Sequence, residues 1–197
     1  MPEQMLASIK VIPGFAGDVM NKFDSVKTLK SRIVYSGPNR RLVADIVEFA
    51  DKSNHEYVYF KNGGAVCVLA CTSDNKVVLT RQYRHPLHEI ILNLPGGGVE
   101  EGEDVQGAAQ REFEEETGFT AEQLQWLGDF SPSPNSNVIV HLFFTRNFRK
   151  KGEFDKNETI SVEFIDFKAL LQRVLSGECF DSALSVAVML TALKKLV

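Results

Sequence analysis

The run LPGGGVEEGEDVQGAAQREFEEETGF, residues 94 to 119, constrains the fold more than any other stretch of this chain. Three glycines at 96 to 98 let backbone come close to another group. Asp104 suits a helix N-cap and Gly118 a C′ position, so a helix spans Asp104 to about Thr117. Residues at i, i+3 and i+4 share one helix face, so Glu112, Glu115 and Glu116 point together and Glu114 is rotated away. Like charges at that spacing cost a helix about 0.2–0.5 kcal/mol per pair. They also crowd toward the C-terminal end, where the helix dipole disfavours anions. An isolated EFEEE reads most simply as a solvated acidic face. A glycine loop entering from a strand favours a different compensation, a divalent cation. Hard oxygen ligands select Mg²⁺ or Mn²⁺ over zinc. Arg111, one residue before Glu112, is placed to orient a carboxylate.

The rest of the chain supplies a core. Ala65 to Cys71 (AVCVLAC) is almost continuously apolar, as in a strand buried on both faces. Further strands are expected at Lys76 to Gln82, Glu89 to Leu94, Asn137 to Arg146 and Ser161 to Phe167. Helices are expected at Phe167 to about Leu175 and Asp181 to Leu196. Before residue 63, Arg41 to Phe49 and Glu56 to Phe60 have strand character, with turns at Gly37-Pro38-Asn39 and at 51 to 54. The expectation is an α/β protein, an α/β/α sandwich around a mixed sheet. Residues 1–62 form a small N-terminal β lobe and 63–197 the main domain.

Composition limits the functions open to it. A net charge of −4 argues against a nucleic-acid partner but allows a small anionic ligand. No run of about 18 apolar residues is present for a membrane span. Cys67, Cys71 and Cys179 are an odd set with no CxxC pair, which fits reduced thiols and disfavours structural zinc. The reading places the chain in the cytoplasm.

The acidic run resembles the Nudix box, G-x5-E-x7-R-E-U-x-E-E-x-G-U with U a bulky apolar residue. Gly97, Glu103, Arg111, Glu112, Phe113, Glu115, Glu116, Gly118 and Phe119 fill every defined position. The resemblance implies Mg²⁺- or Mn²⁺-dependent hydrolysis of the pyrophosphate in a nucleoside diphosphate linked to another moiety. It implies Glu112 and Glu116 as metal ligands, with a carbonyl of Gly96 or Gly97 and a further contribution from Glu115. It implies Arg111 and Glu103 as a brace between loop and helix.

Three features resemble the ADP-ribose and nucleotide-sugar branch of that family. The box begins late, behind an N-terminal lobe that in the branch is exchanged between subunits and helps build the substrate pocket; a homodimer is implied. VVLTRQYRHP, residues 77 to 86, resembles the segment before the box, with Arg81 and Arg84 as phosphate contacts. Strand alternation puts these two arginines on opposite faces. FSPSPNSNVIVHLFF, residues 130 to 144, resembles the segment after it, with Pro134 at the branch's proline. A loop glutamate that addresses the attacking water corresponds first to Glu158, then to Glu153 or Asp155. One departure concerns the base: where the branch has a charged Arg- and Glu-bearing strand, this chain has EYVYF. Tyr57, Tyr59 or Phe60 could stack on a nucleobase, and a nucleotide sugar stays open beside ADP-ribose. The alternatives are a non-catalytic nucleotide sensor and a MutT-like triphosphatase. Trp126 is expected in the core and His85 and His88 on the surface.

Overall fold

The computed structural model describes residues 26–37, 40–157, 159–179 and 181–197. Glu158, and Pro38 and Asn39 of the expected turn, lie outside the described residues. The chain divides into two compact units, Met1–Tyr59 and Phe60–Val197.

The described part of the first unit is a three-stranded sheet in the order β1-β2-β3, from β1 (Lys27–Ser36), β2 (Arg41–Glu48) and β3 (Asn54–Lys61). The last two residues of β3 belong to the second unit. β1 and β2 pair antiparallel from Lys27↔Glu48 to Ser36↔Arg41. Val43, Ala44 and Val47 of β2 are buried, while every residue of β1 is exposed. β1 was not legible as a strand because KTLKSRIVYS mixes three cations with apolar residues out of strict alternation. Arg32 pairs with Glu56 at 2.9 Å, and Tyr59 Oη donates to Asp45 at 3.1 Å.

Among the described residues the second unit has a four-stranded sheet, a three-stranded sheet, a two-stranded pair and three α-helices. β4 (Ala65–Ala70), β7 (Gly96–Gly98), β9 (Gln125–Phe130) and β10 (Val140–Thr145) form one sheet in the order β7-β4-β10-β9. β10 runs parallel to β4, and the other pairs are antiparallel. β5 (Lys76–Arg84), β6 (Glu89–Asn93) and β12 (Ser161–Asp166) form an antiparallel sheet in the order β12-β5-β6. β8 (Phe119–Ala121) pairs with β11 (Phe148–Lys150). The helices are α1 (Val105–Thr117), α2 (Phe167–Leu175) and α3 (Ser182–Leu193).

β4 explains the layering. Its side chains alternate between faces, and both faces are apolar. Val66, Val68 and Ala70 pack with Ala108, Ala109 and Phe113 of α1. Leu69 and, just past the strand, Cys71 pack in a second cluster with Phe167 and Leu170 of α2 and Leu184, Ala187 and Val188 of α3. Helices therefore cover both sides of the strand, giving the α/β/α sandwich. α1 starts where Asp104 accepts from the backbone N–H groups of Gln106 and Gly107. It stops at Gly118, whose φ of 70° is left-handed.

Several expectations shift. The strand expected from Asn137 begins only at Val140, because 131 to 139 is loop. The last helix ends at Leu193, so Lys194 and Lys195 lie beyond it; Lys194 Nζ donates to the carbonyl of Leu127 at 2.6 Å. Trp126, expected in the core, is 57% exposed. It stands on β9, an edge strand, where its indole N–H donates to Asp129 at 2.9 Å and Lys194 lies 5.5 Å from its ring centroid.

Thr191 on α3 is fully buried and its Oγ1 has no hydrogen-bond partner among the described residues. Burying an unpaired hydroxyl costs about 1–3 kcal/mol. Thr191→Val removes that group at the same shape, and urea denaturation should show a gain of roughly 1 kcal/mol. A loss of stability would mean that the hydroxyl is paired after all.

Candidate active site

The acidic face of α1 meets β7, the glycine segment that follows β6. Glu112 and Glu116 lie one turn apart and are buried, at 8% and 3% exposure. Glu115 is exposed, and Glu114 points elsewhere, held by Gln110, Thr120 and Lys151. The expected division of the four carboxylates is therefore sharper in space: two are sunk against the loop and one stands at the rim.

Arg111 holds the arrangement together. Its Nε and Nη2 donate to the two carboxylate oxygens of Glu103 at 3.0 and 2.9 Å. Nη1 donates to Glu112 at 2.8 Å and to Glu115 at 3.2 Å, and Nη2 also reaches the carbonyl of Gly98 at 2.9 Å. Glu103 above all, and Glu112 with it, raise the Arg111 guanidinium still further above its ordinary value. Arg111 in turn holds the Glu103 carboxyl below the usual carboxylate range.

The glycines bring backbone to the carboxylates. A Cβ at Gly97 would lie 2.5 Å from the carboxyl atoms of Glu112, so any larger residue there would displace that carboxylate. The N–H of Gly96 donates to Glu116 Oε2 at 2.9 Å, and Gln82 of β5 donates to the other oxygen. Among the described residues no three His, Cys, Asp or Glu side chains are grouped to hold an ion by themselves. The donor set still suits a hard cation. Magnesium is commonly bound through one or two carboxylates, with water and substrate phosphate completing the shell. Glu112 and Glu116 could supply two such carboxylates, with backbone close by.

The remaining candidates separate. Arg81 forms a two-pronged ion pair with Glu163 of β12. Arg84, on the opposite face of β5, is exposed and makes no ion pair among the described residues. Its charge bears on Asp181, the N-cap of α3, and on Cys67. Burial pushes the Cys67 thiol well above its ordinary pKa, which makes it a poor nucleophile. Phe60 is exposed and its backbone pairs with the loop carrying Pro134: its N–H donates to the carbonyl of Asn135 at 2.9 Å, and its carbonyl accepts from Asn137 at 3.2 Å. Tyr57, in the first unit, is half exposed beside Phe49, with ring centroids 6.4 Å apart. Of the acids on the loop after β11, Glu153 and Asp155 are exposed, and Asp155 is tied by its backbone N–H to the carbonyl of Glu115 at 2.7 Å. His85 and His88 are exposed, as expected, and both face the hydroxyl of Tyr83 at 3.4 and 3.5 Å. Gln82 and Asn93 were not anticipated from the sequence. The only signal was an amide near the end of each of two neighbouring strands.

Residues 61–179 match the family model described as the NUDIX domain. The chain belongs to the Nudix family. It is 35% identical over 173 residues to a protein of Bacillus methanolicus named methanol dehydrogenase activator, covering 86% of this chain and 94% of that one. It is 33% identical over 173 residues, with the same coverage, to the ADP-ribose pyrophosphatase of Bacillus subtilis. A crystal structure of an ADP compounds hydrolase superposes with a TM-score of 0.73 at 23% identity, covering 85% of this chain and 92% of the other, and supports the fold.

The Glu103–Arg111 pair should leave a pH signature. Because the folded-state pKa of Glu103 is depressed, its stabilising contribution is present above the unfolded-state value and is lost as pH falls through the folded-state value. Glu103→Gln should therefore destabilise the protein at neutral pH, and the gap from the parent should narrow in urea denaturation as pH falls below the ordinary glutamate range. A gap that stays constant across that range would rule out the ion pair as its source.

Proposed function

We propose that this chain cleaves the pyrophosphate of ADP-ribose, giving AMP and ribose 5-phosphate, or that of a closely related nucleoside diphosphate sugar. The chain is a Nudix pyrophosphohydrolase by family, and the finer reading concerns substrate and site. One observation carries it: Glu112 and Glu116 are buried side by side on α1 against the glycine backbone of residues 96 and 97. The ADP-ribose pyrophosphatase of Bacillus subtilis, similar over most of both chains, supports the substrate class.

In this reading Glu112 and Glu116, with a backbone carbonyl at Gly96 or Gly97, hold Mg²⁺ or Mn²⁺, and Glu115 at the rim contributes a further ligand. A bound divalent cation neutralises diphosphate charge and lowers the pKa of a coordinated water. Arg111 keeps the carboxylates at one spacing through Glu103, Glu112 and Glu115. Arg84 takes the phosphate charge, since Arg81 is committed to Glu163 and braces β5 against β12. Phe60 and Pro134, neighbours in one unit, face the nucleoside. Glu158 is the first choice for the residue that orients the attacking water, followed by Glu153 and Asp155. The solvent-facing β1, with Leu29, Ile33, Val34 and Tyr35 exposed, supports a homodimer built through residues 1–62.

The test is a Mg²⁺-dependent hydrolysis panel of ADP-ribose, GDP-mannose, ADP-glucose, UDP-glucose, NADH, diadenosine polyphosphates and deoxynucleoside triphosphates. ADP-ribose should turn over well above the rest. Glu112→Gln and Glu116→Gln should each lower kcat by at least about a hundredfold, the equivalent of several kcal/mol of lost charge stabilisation. Arg84→Ala should raise KM by about ten- to a hundredfold, the scale of a hydrogen bond to a charged group, and exceed Arg81→Ala in this effect. Tight nucleotide binding without turnover anywhere in the panel would replace the enzyme reading with that of a sensor. Sedimentation as a monomer at micromolar concentration would remove the homodimer.

A further inference from the structure

A chain of buried polar side chains runs from the sheet to the acidic face of α1. Asn93 of β6 donates through Nδ2 to Gln82 Oε1 at 2.9 Å. Gln82 of β5 donates through Nε2 to Glu116 Oε1. The other oxygen, Oε2, accepts from the N–H of Gly96. Asn93, Gln82 and Glu116 are 2%, 7% and 3% exposed. Asn93 stands opposite Thr80 in the β5–β6 ladder, and Gln82 is two residues further along the same face.

Such a chain is costly in a core. Two amides and a carboxylate withdrawn from water lose solvation that apolar residues never had. The packing on this side of the sheet is otherwise mostly apolar, with Val66, Val68 and Ala70 of β4 and Val78 of β5 against Phe113 of α1.

The carboxylate dictates the direction of the chain. An ionised carboxylate only accepts hydrogen bonds, so Gln82 must turn its NH₂ toward Glu116. The Gln82 oxygen then faces Asn93, which must present its own NH₂. The chain goes no further: Asn93 Oδ1 and the opposing Thr80 Oγ1 are both buried without a partner among the described residues. An orphaned carbonyl at one end is accepted so that the other end delivers a fixed donor.

We infer that Gln82 and Asn93 are positioning residues that set the plane of the Glu116 carboxylate for cation binding. The inference rests on the proposed metal site. With a donor at each oxygen, Glu116 cannot rotate about its terminal bond without breaking one of them. Residues that orient a ligating carboxylate in this way typically govern metal affinity by about 10–100-fold.

The experiment is calorimetric titration of the substrate-free full chain with Mn²⁺, alongside circular dichroism and urea denaturation. Gln82→Met keeps the length of the side chain and removes the amide; its Mn²⁺ Kd should rise by about 10–100-fold while the protein stays cooperatively folded. Asn93→Leu removes the donor that holds Gln82 and should weaken Mn²⁺ in the same direction, by less. Should Gln82→Met fail to fold, Asn93→Leu carries the test. Thr80→Val changes the same face at the same depth but lies outside the chain, and should bind Mn²⁺ as the parent does. Parent-like affinity in both amide variants, or an equal loss in Thr80→Val, overturns the inference in favour of packing. Glu116→Gln separates the two levels. If it abolishes Mn²⁺ binding while the amide variants do not, only the positioning role falls. If it binds Mn²⁺ normally, the metal site falls and the positioning role with it.

Discussion

A single guanidinium makes this site possible. Three carboxylates facing one way on a helix repel one another, and near its C-terminal end the dipole adds to the repulsion. Arg111 sits within hydrogen-bond distance of Glu103, Glu112 and Glu115 and of the carbonyl of Gly98. It therefore offsets charge and fixes geometry together. Five N–H donors in a rigid plane permit this, whereas a lysine would offer one point charge on a flexible stem. Through Glu103 and Gly98 the same group fastens the glycine loop to the helix, so loop and carboxylates keep one spacing.

The wall behind the site is β4. It has an apolar face for α1 and another for α2 and α3, so the helix bearing the acids is seated by Val66, Val68 and Ala70 on one side of a strand locked from the other. Gly96 and Gly97 pair with Cys67 and Val66 of that strand, which sets the height of the loop relative to α1. The same core that stabilises the fold thus fixes the distance between backbone and carboxylates.

Much of this was legible in the sequence where local chemistry is strong. The helix of the box could be placed because Asp104 and Gly118 leave little freedom at its ends, and AVCVLAC could be placed because only a doubly covered strand tolerates it. Short elements were not legible: β8 and β11 have three residues each, too few for periodicity to register. Trp126 was misplaced because composition does not reveal that its strand ends a sheet. Within the site, the grouping of Glu112 with Glu116 and of Arg111 with Glu103 followed from helical spacing and the family pattern. The role of Gln82 and Asn93 did not, because it depends on two strands lying side by side beneath a helix. Strand alternation already separated Arg81 from Arg84 onto opposite faces, but only the ladder with β12 reveals that Glu163 claims the first.

The end of α1 has a consequence for how the chain can vary. The carbonyl of Gly118 accepts from the N–H groups of Lys151 and Gly152, and that of Glu115 from Asp155. Further on, the N–H of Ile160 is fixed to the carbonyl of Arg81. The loop after β11 is thus pinned at both ends, and its middle is drawn together where the N–H of Thr159 donates to the carbonyl of Asp155 at 3.0 Å. Lengthening that middle would leave both anchors in place, and closing a longer loop costs only about 0.6 kcal/mol for each doubling of its length. Residues added to that loop would therefore cost little stability, while Glu112 and Glu116 keep their places on α1.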